Sequence, residues 1–430
     1  MPVPWPQGSG PTILPVGFLS ALGGGGALGY TGAMGFKTYT CPIARECGGC
    51  EWLAVPYPIQ LRRKGEYVEQ LFSQMAEADG ATIEPVRGMD EPLAYRHKAA
   101  TPFAPGKGGS LRSGFYAAGT HRIVACESCL VEDPRARRIL GEVARIAREL
   151  RIPAYAEDRG TGVLRHAVVR CGWKTSDVML VLVTNGPRLP HAEKLVEGLR
   201  TACPELTTIV QNINDRRTNA ILGRECLTLY GPGKMSDQLL GCTFEIGPTS
   251  FYQTNPAQTE VLYGLAIEGS LAGWSGGTDG LRLLDAYCGT GTIGICAASR
   301  SNELQVVGVE QVGGAVKCAK RNARTNGLES RCRYLRADAT EYLTTAAKGG
   351  KERFDVVLMD PPRAGSTPEF LSAVAALGPQ RLVYVSCNAE TQARDLAFIR
   401  QRGYRLEKVS PVDMFPHTKH VELVAVLSRR

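Results

Sequence analysis

Cys387 stands at the end of a short apolar run, Leu382-Val383-Tyr384-Val385, within RLVYVSCNAETQARD. The run is rich in β-formers and reads as a buried strand, with Ser386-Cys387-Asn388 as its polar mouth. A helix is expected from about Glu390, where Ala393, Leu396, Ala397 and Arg400 fall at helical spacing. Reactive groups of open α/β sheets gather at the carboxyl ends of strands, so this thiol is placed where a nucleophile is presented. Taken alone, a half-buried core cysteine is the plainer alternative. A second set of thiols, Cys41, Cys47 and Cys50, is packed into CPIARECGGC with the spacing C-x5-C-x2-C. Packing cysteines do not cluster in this way, and Gly48-Gly49 permit a tight wrap, so the expected chemistry is metal ligation. Four thiolates complete either a 4Fe–4S cluster or a structural zinc site. CESCLVED offers Cys126 and Cys129 as the fourth ligand. Spacing leaves the choice of metal and of fourth ligand open.

A third constellation is DAYCGTGTIG. The apolar run Leu281–Tyr287 leads into Gly289, Gly291 and Gly294 and then a helix, and a second run, Val306–Val309, ends at Glu310. Glycines at a strand–helix turn with an acid at the next strand end describe a nucleoside-binding Rossmann unit, the acid holding ribose hydroxyls. A pyrophosphate would need a basic or amide-rich cradle instead. Further strands are expected at Cys332–Arg336 and Asp355–Met359, the latter closing on Asp360-Pro361-Pro362-Arg363. An aromatic after the prolines would suit methylation of an amino group, and a cysteine would suit cytosine C5; Arg363 supports neither. In FYQTNPAQTEVLY, Gln253 and Asn255 precede a helix opened by Pro256, where two amides can bind the polar tail of a cofactor.

The elements that must position these groups divide the chain. Tyr57–Met75 reads as an amphipathic helix with Leu61, Val68, Leu71 and Phe72 on one face. Pro92–Cys126 carries Arg96, Lys98, Lys107, Arg112 and Arg122 without an acid, and Tyr95, Phe103, Phe115 and Tyr116 are interleaved among them. Cations for phosphates and aromatic faces for bases suit single-stranded nucleic acid. A solvated basic hairpin fits equally well. A helix over Asp133–Arg151 and strands at Val163–Arg170, Val178–Thr184 and Thr207–Ile213 make the middle α+β. Its RHAVVR and QNIN segments are polar enough to line a groove. Residues 1–36 are a Gly/Pro-rich tail without a charged side chain, and Met34 is expected to be the true start.

At 430 residues the chain can hold two or three full cores. Its net charge of +8 is spread over both halves and gives only mild support for an anionic partner. No apolar run reaches membrane-spanning length and no secretory signal accompanies the 14 cysteines. The expectation is a cytoplasmic, monomeric protein with no membrane contact.

Together the motifs resemble the RNA uracil-5 methyltransferase family. The matching pieces are CPIARECGGC, GFYAAGTHRIV, FYQTN, LLDAYCGTGTIG, VGVEQ, MDPPRAG, VSCNAET and DMFPHTKHVE, in the family's order over about residues 41–424. The resemblance implies an α/β fold. A C-terminal Rossmann-like S-adenosylmethionine-dependent methyltransferase domain spans 241–430, behind an N-terminal/central α+β iron–sulfur and RNA-binding region over 37–240. It favours a 4Fe–4S cluster over zinc, Cys129 over Cys126 beside Cys41, Cys47 and Cys50, and 23S rRNA over tRNA as substrate. By the same resemblance Gln253, Tyr287, Glu310, Asp338 and Asp360 contact S-adenosylmethionine, Cys387 is the nucleophile and Glu422 the general base. Two departures stand out: Ala389 replaces the family's proline and is expected to loosen the nucleophile loop, and no small β-barrel precedes the cysteines. The alternatives are a tRNA uridine methyltransferase and a non-catalytic iron–sulfur RNA-binding protein.

The implied chemistry explains these residue types. C5 of uracil is too weak a nucleophile until a thiolate adds at C6. A base must afterwards remove the C5 proton, for which a strand-end glutamate is suited. A stacked base cannot receive the thiol, so the uridine must be flipped or already unpaired.

Overall fold

The computed structural model describes residues 37–106, 110–273, 280–349 and 352–430. The tail 1–36, with Met34, and Lys107 of the basic stretch lie outside the described residues. Five parallel strands lie in the order Arg381–Ser386, Val356–Met359, Leu281–Ala286, Leu304–Glu310 and Cys332–Arg336. Glu422–Arg429 pairs antiparallel beside Arg381–Ser386, and Tyr404–Val412 and then Thr82–Ile83 complete an eight-stranded sheet. Strands covered on both faces read as near-continuous apolar runs, and Val356–Met359 is buried at every position. Pro256–Leu271, Thr292–Arg300 and Gly313–Thr325 cover one face. Tyr57–Asp79, Ala339–Gly349, Pro368–Leu377 and Ala389–Arg400 cover the other.

The preceding residues build a six-stranded sheet. Its order is Leu111–Ser113, Lys98–Pro105, Leu164–Cys171, Val178–Thr184, Thr208–Ile213 and Glu225–Tyr230. Pro134–Glu149 and Ala192–Ala202 pack on it around a separate core. The first of these helices starts where the sequence dictates, with Pro134 in its first turn and the Asp133 side chain accepting the Arg135 amide. No helix among the described residues is long and apolar enough to cross a membrane.

The Tyr57–Asp79 helix joins the C-terminal sheet, across the sequence boundary drawn at 240. Asp79 at its end accepts from Arg400, Arg430 and the Leu406 amide; chiefly through Arg400, these hold its carboxyl down to about 2. The buried stripe of the helix is Gln60, Lys64, Val68, Phe72 and Ala76; of the face that hydrophobicity suggests, Val68 and Phe72 are in it, while Leu61 and Leu71 are half-buried beside it. Gln60 and Lys64 turn inward because polar partners await them. Lys64 Nζ lies 2.6 Å from Asp413, both side chains fully buried, and Tyr57 donates to the same carboxylate at 2.8 Å. Gln60 Oε1 accepts the His417 amide at 2.9 Å, and its amide nitrogen lies 3.1 Å from His417 Nδ1.

Candidate active site

Strand register brings the implied site residues to one edge. Ala286 pairs with Val309 on one side and Met359 on the other, so Tyr287, Glu310 and Asp360 follow abreast at the carboxyl ends of three strands. Ser386 pairs antiparallel with Leu423, which sets Cys387 and Glu422 opposite one another one step further along. A cleft of about 800 Å³ is lined by Gln253, Tyr287, Glu310, Asp338, Asp360, Cys387 and Glu422 together. A second cleft, of about 650 Å³, meets it at Arg363, Cys387 and His420. Cys387 thus sits where the two open into each other.

The half of the cleft lined by Tyr287, Gly289, Glu310 and Asp338 is built by backbone geometry. Tyr287 holds φ +63°, a left-handed conformation rare for a bulky residue, and its ring packs 5.3 Å from that of Phe370. Gly291 must be glycine, because a Cβ there would lie 2.7 Å from the Tyr334 ring. Glu310 accepts the amides of Gly289 at 3.2 Å and Val312 at 2.7 Å, which fixes the acid against the glycine turn. Asp338 spends one oxygen on the Thr340 and Glu341 amides at the start of the Ala339–Gly349 helix. Asn255 differs from expectation. It is fully buried, caps the Pro256–Leu271 helix through the Gln258 amide and donates to Met414 O at 3.0 Å, away from the cleft.

The other half sets two acids, buried Glu422 and half-buried Asp360, beside one thiol. Burial pushes Glu422 up to about 8, helped by Asp360 and opposed by Arg363. Burial alone pushes Asp360 up to about 7. The Cys387 thiol is raised by burial and then by the charges of Glu422 and Asp360, while Arg363 draws it down by charge and a hydrogen bond. Arg363, which sequence reasoning used only to exclude other reactions, is therefore placed to favour the thiolate. The loop holding the thiol is tied down by hydrogen bonds around Asn388. Asn388 caps the following helix through the Glu390 and Thr391 amides, donates to Arg363 O at 3.2 Å, and shares two hydrogen bonds with Ser386 Oγ. Ala389 is itself buried.

The 413–422 segment that delivers Glu422 is held by the Lys64–Asp413 and Gln60–His417 contacts, which the sequence did not reveal. Polar residues at i, i+4 on a helix whose next turns are apolar were the available signal.

The cysteine-rich turn is less settled. Cys41, Cys47, Cys50, Cys126 and Cys129 are free and partly buried. Cys50 is pushed up to about 12 by burial and then by the charge of Cys129, with smaller effects of Cys47 and Cys41; Cys126 is pushed up to about 12 by burial, then by Cys129 and Cys47. The Cys129 sulfur accepts the Val131 and Glu132 amides and Cys47 that of Gly49, whereas Cys126 donates to Ser128 O at 3.1 Å. Yet among the described residues no three His, Cys, Asp or Glu side chains are arranged to hold a metal ion. The centre expected on Cys41, Cys47, Cys50 and Cys129 is not formed among the described residues; these thiols come from the one-turn helix Ala44–Cys47, its flanking residues and the 126–129 loop.

Residues 271–410 match the family described as conserved hypothetical protein 95. An uncharacterized RNA methyltransferase of Halalkalibacterium halodurans is 40% identical over 387 residues, 90% of this chain and 82% of the relative. Relatives described in the same words from Staphylococcus aureus and Bacillus cereus are each 39% identical, covering 90% and 91% of this chain and 83% of theirs. Among solved structures, the Pyrococcus abyssi tRNA (uracil-54, C5)-methyltransferase with S-adenosyl-L-homocysteine superposes at TM-score 0.71 and 26% identity, covering 88% of this chain and 85% of that one. With relatives this similar over nine-tenths of its length, the chain belongs to the RNA methyltransferase family.

Proposed function

We propose that the protein methylates C5 of a uridine in RNA, with S-adenosylmethionine as donor. The observation that carries this reading is the placement of Cys387 opposite Glu422, at the junction of two clefts, one of which also holds all five implied cofactor contacts. The archaeal structural neighbour, itself a uracil-C5 enzyme, supports the same chemistry. Glu310 and Asp338 hold the ribose and adenine, and Gln253, Tyr287 and Asp360 the remainder of the donor, whose sulfonium supplies an electrophilic methyl group. Cys387 Sγ, as thiolate, bonds to C6 and makes C5 a nucleophile. C5 takes the methyl as the sulfonium S–CH3 bond breaks and S-adenosylhomocysteine leaves, Glu422 removes the proton left on C5, and the C6–S bond breaks to return the thiolate and restore the double bond. Wild-type protein should give a denaturation-resistant adduct with 5-fluorouridine RNA, whose fluorine cannot leave as a proton. Cys387→Ala should give none and make no 5-methyluridine; product from that variant refutes the covalent route.

The substrate we assign is 23S rRNA, on the resemblance carried by the cysteine motif. The tRNA specificity of the archaeal neighbour favours tRNA as a second reading, and methylation of the two transcripts side by side distinguishes them. The thiols fit a 4Fe–4S cluster in donor chemistry. Backbone N–H groups on Cys47 and Cys129 stabilise thiolates, and the charges of Arg96 near Cys50 and Arg137 near Cys129 act in the same direction. Cys41, Cys47, Cys50 and Cys129 would hold it, stapling the 41–50 turn to the 126–129 turn; no step of methyl transfer runs through it.

A further inference from the structure

The RHAVVR segment opens a cleft that methyl transfer does not use. This space, about 660 Å³, shares no lining residue with the two clefts at Cys387. Tyr116 stands at its rim, 37% exposed, its ring 5.4 Å from that of His121 and 6.4 Å from that of His166. Arg165, 5% exposed, lays its guanidinium 4.4 Å over the Tyr155 ring and gives Nη1 to Asn214 O at 2.6 Å and Arg216 O at 2.8 Å. Two buried nitrogens remain: Arg165 Nε and His166 Nδ1 have no hydrogen-bond partner among the described residues. Buried polar atoms without partners are rare and call for a ligand or water. Burial and the neighbouring Arg165 hold His166 down to about 4, so its ring is neutral, with one N–H and one lone pair to offer. Arg112 and Arg159 are exposed at the mouth with Asp158 between Glu157 and Arg159, and Glu157 is engaged by His121 at 2.9 Å.

One strand floors both this cleft and the catalytic one. Lys98 lines the catalytic cleft and Phe103–Pro105 this one, five residues or about 17 Å along the same strand. A few nucleotides of extended RNA cover that span. Resting on the assignment of a uridine to the catalytic cleft, we propose that this second cleft takes an unpaired nucleotide of the same RNA strand. Its base stacks on Tyr116 with its edge toward Arg165 and His166, and its phosphate meets Arg112 and Arg159. Stacking on an aromatic face with polar contacts to the base edge is how single-stranded RNA is read.

The test uses the full chain and RNA substituted with 4-thiouridine at positions other than the target. Photo-crosslinks mapped by mass spectrometry should fall on the segments around Tyr116 or Tyr155–His166. Tyr116→Ala and His166→Ala should each raise Kd and KM for RNA about tenfold and leave kcat at saturating RNA unchanged. S-adenosylhomocysteine binding, and 5-fluorouridine trapping on an oligonucleotide too short to reach this cleft, should also be unchanged. Tyr116→Phe, which keeps the stacking face, should bind as wild type does. Unchanged RNA affinity in both alanine variants, or crosslinks confined to the catalytic cleft, overturns the proposal. If wild type traps no 5-fluorouridine RNA, the catalytic assignment fails, and the second cleft is then judged by RNA affinity and crosslinks alone.

Discussion

The carboxyl edge of the C-terminal sheet and the cysteine-rich turn both gather residues from distant parts of the chain, but by different means. At the sheet edge, hydrogen-bonded register fixes where Tyr287, Glu310, Asp360, Cys387 and Glu422 stand before any ligand arrives. At the turn, Cys41, Cys47, Cys50, Cys126 and Cys129 are neighbours carried by a one-turn helix and short loops, and no metal geometry is formed among them. A ladder positions side chains as a by-product of folding, whereas a loop leaves the last adjustment to its ligand. The two regions should therefore respond differently when single residues are changed.

The largest effect belongs to the sheet edge. Glu422→Gln keeps the thiol and the register, so addition and methyl transfer proceed but the C5 proton stays. Turnover should fall about 10²–10⁴-fold, as for loss of a general base, and a covalent, already methylated adduct should accumulate on ordinary RNA. Substrate binding without an adduct would show that Glu422 is not the acceptor.

Next comes the buried ion pair that anchors the Glu422 segment. Lys64→Met leaves Asp413 buried with Tyr57 as a remaining partner, and breaking such a pair costs about 3–5 kcal/mol. Urea unfolding should show that loss, and Lys64→Met with Asp413→Leu should recover part of it. No change in midpoint would mean that the helix 57–79 does not hold the segment.

A paired experiment separates the regions directly. Glu310→Ala removes charge-assisted hydrogen bonds of about 1.5–3 kcal/mol, so S-adenosylmethionine affinity measured by calorimetry should drop roughly tenfold to a hundredfold, with bound iron unchanged. Cys50→Ser should lose iron from anaerobically purified protein and leave cofactor affinity intact, and Cys126→Ser should keep its iron. Zinc in place of iron corrects the cluster assignment, and loss of cofactor affinity in Cys50→Ser shows the two regions to be coupled.

How much of this was legible follows from the same contrast. Continuous apolar runs ending at Tyr287, Glu310, Asp360 and Cys387, with a glycine turn between the first two, announce a parallel sheet and its carboxyl edge, because strand ends are local features. Glu422 became legible only through the resemblance; its place opposite Cys387 depends on an antiparallel register that no local pattern encodes. Lys64 and Asp413 are 349 residues apart, and a lysine on an amphipathic helix ordinarily belongs to the wet face. Asn255 was misread because a helix cap and a ligand amide use the same residue type in the same place. The thiol cluster was legible as a cluster from spacing alone, but spacing in turns carries no geometry.

The smallest effect is a matter of sign. An unfolded glutamate loses its proton near 4.3, whereas Glu422 in the fold is raised to about 8. Between those values the native state holds a proton that the unfolded chain has released, so this residue makes stability fall as pH rises from about 4.5 to about 8. Glu422→Gln removes the dependence. Between pH 5 and pH 8, both proteins substrate-free, the melting temperature of the variant should gain about 4 °C on that of the wild type. Over the same interval the wild-type kcat/KM should rise with pH, since the base works only when ionised. Stability and activity then move in opposite directions through one carboxyl, as expected of a group that the register fixes in a buried place for its chemistry. A melting difference equal at pH 5 and pH 8 would place the Glu422 proton elsewhere, and a variant less stable at pH 8 would mean that the native carboxylate is ionised and paired.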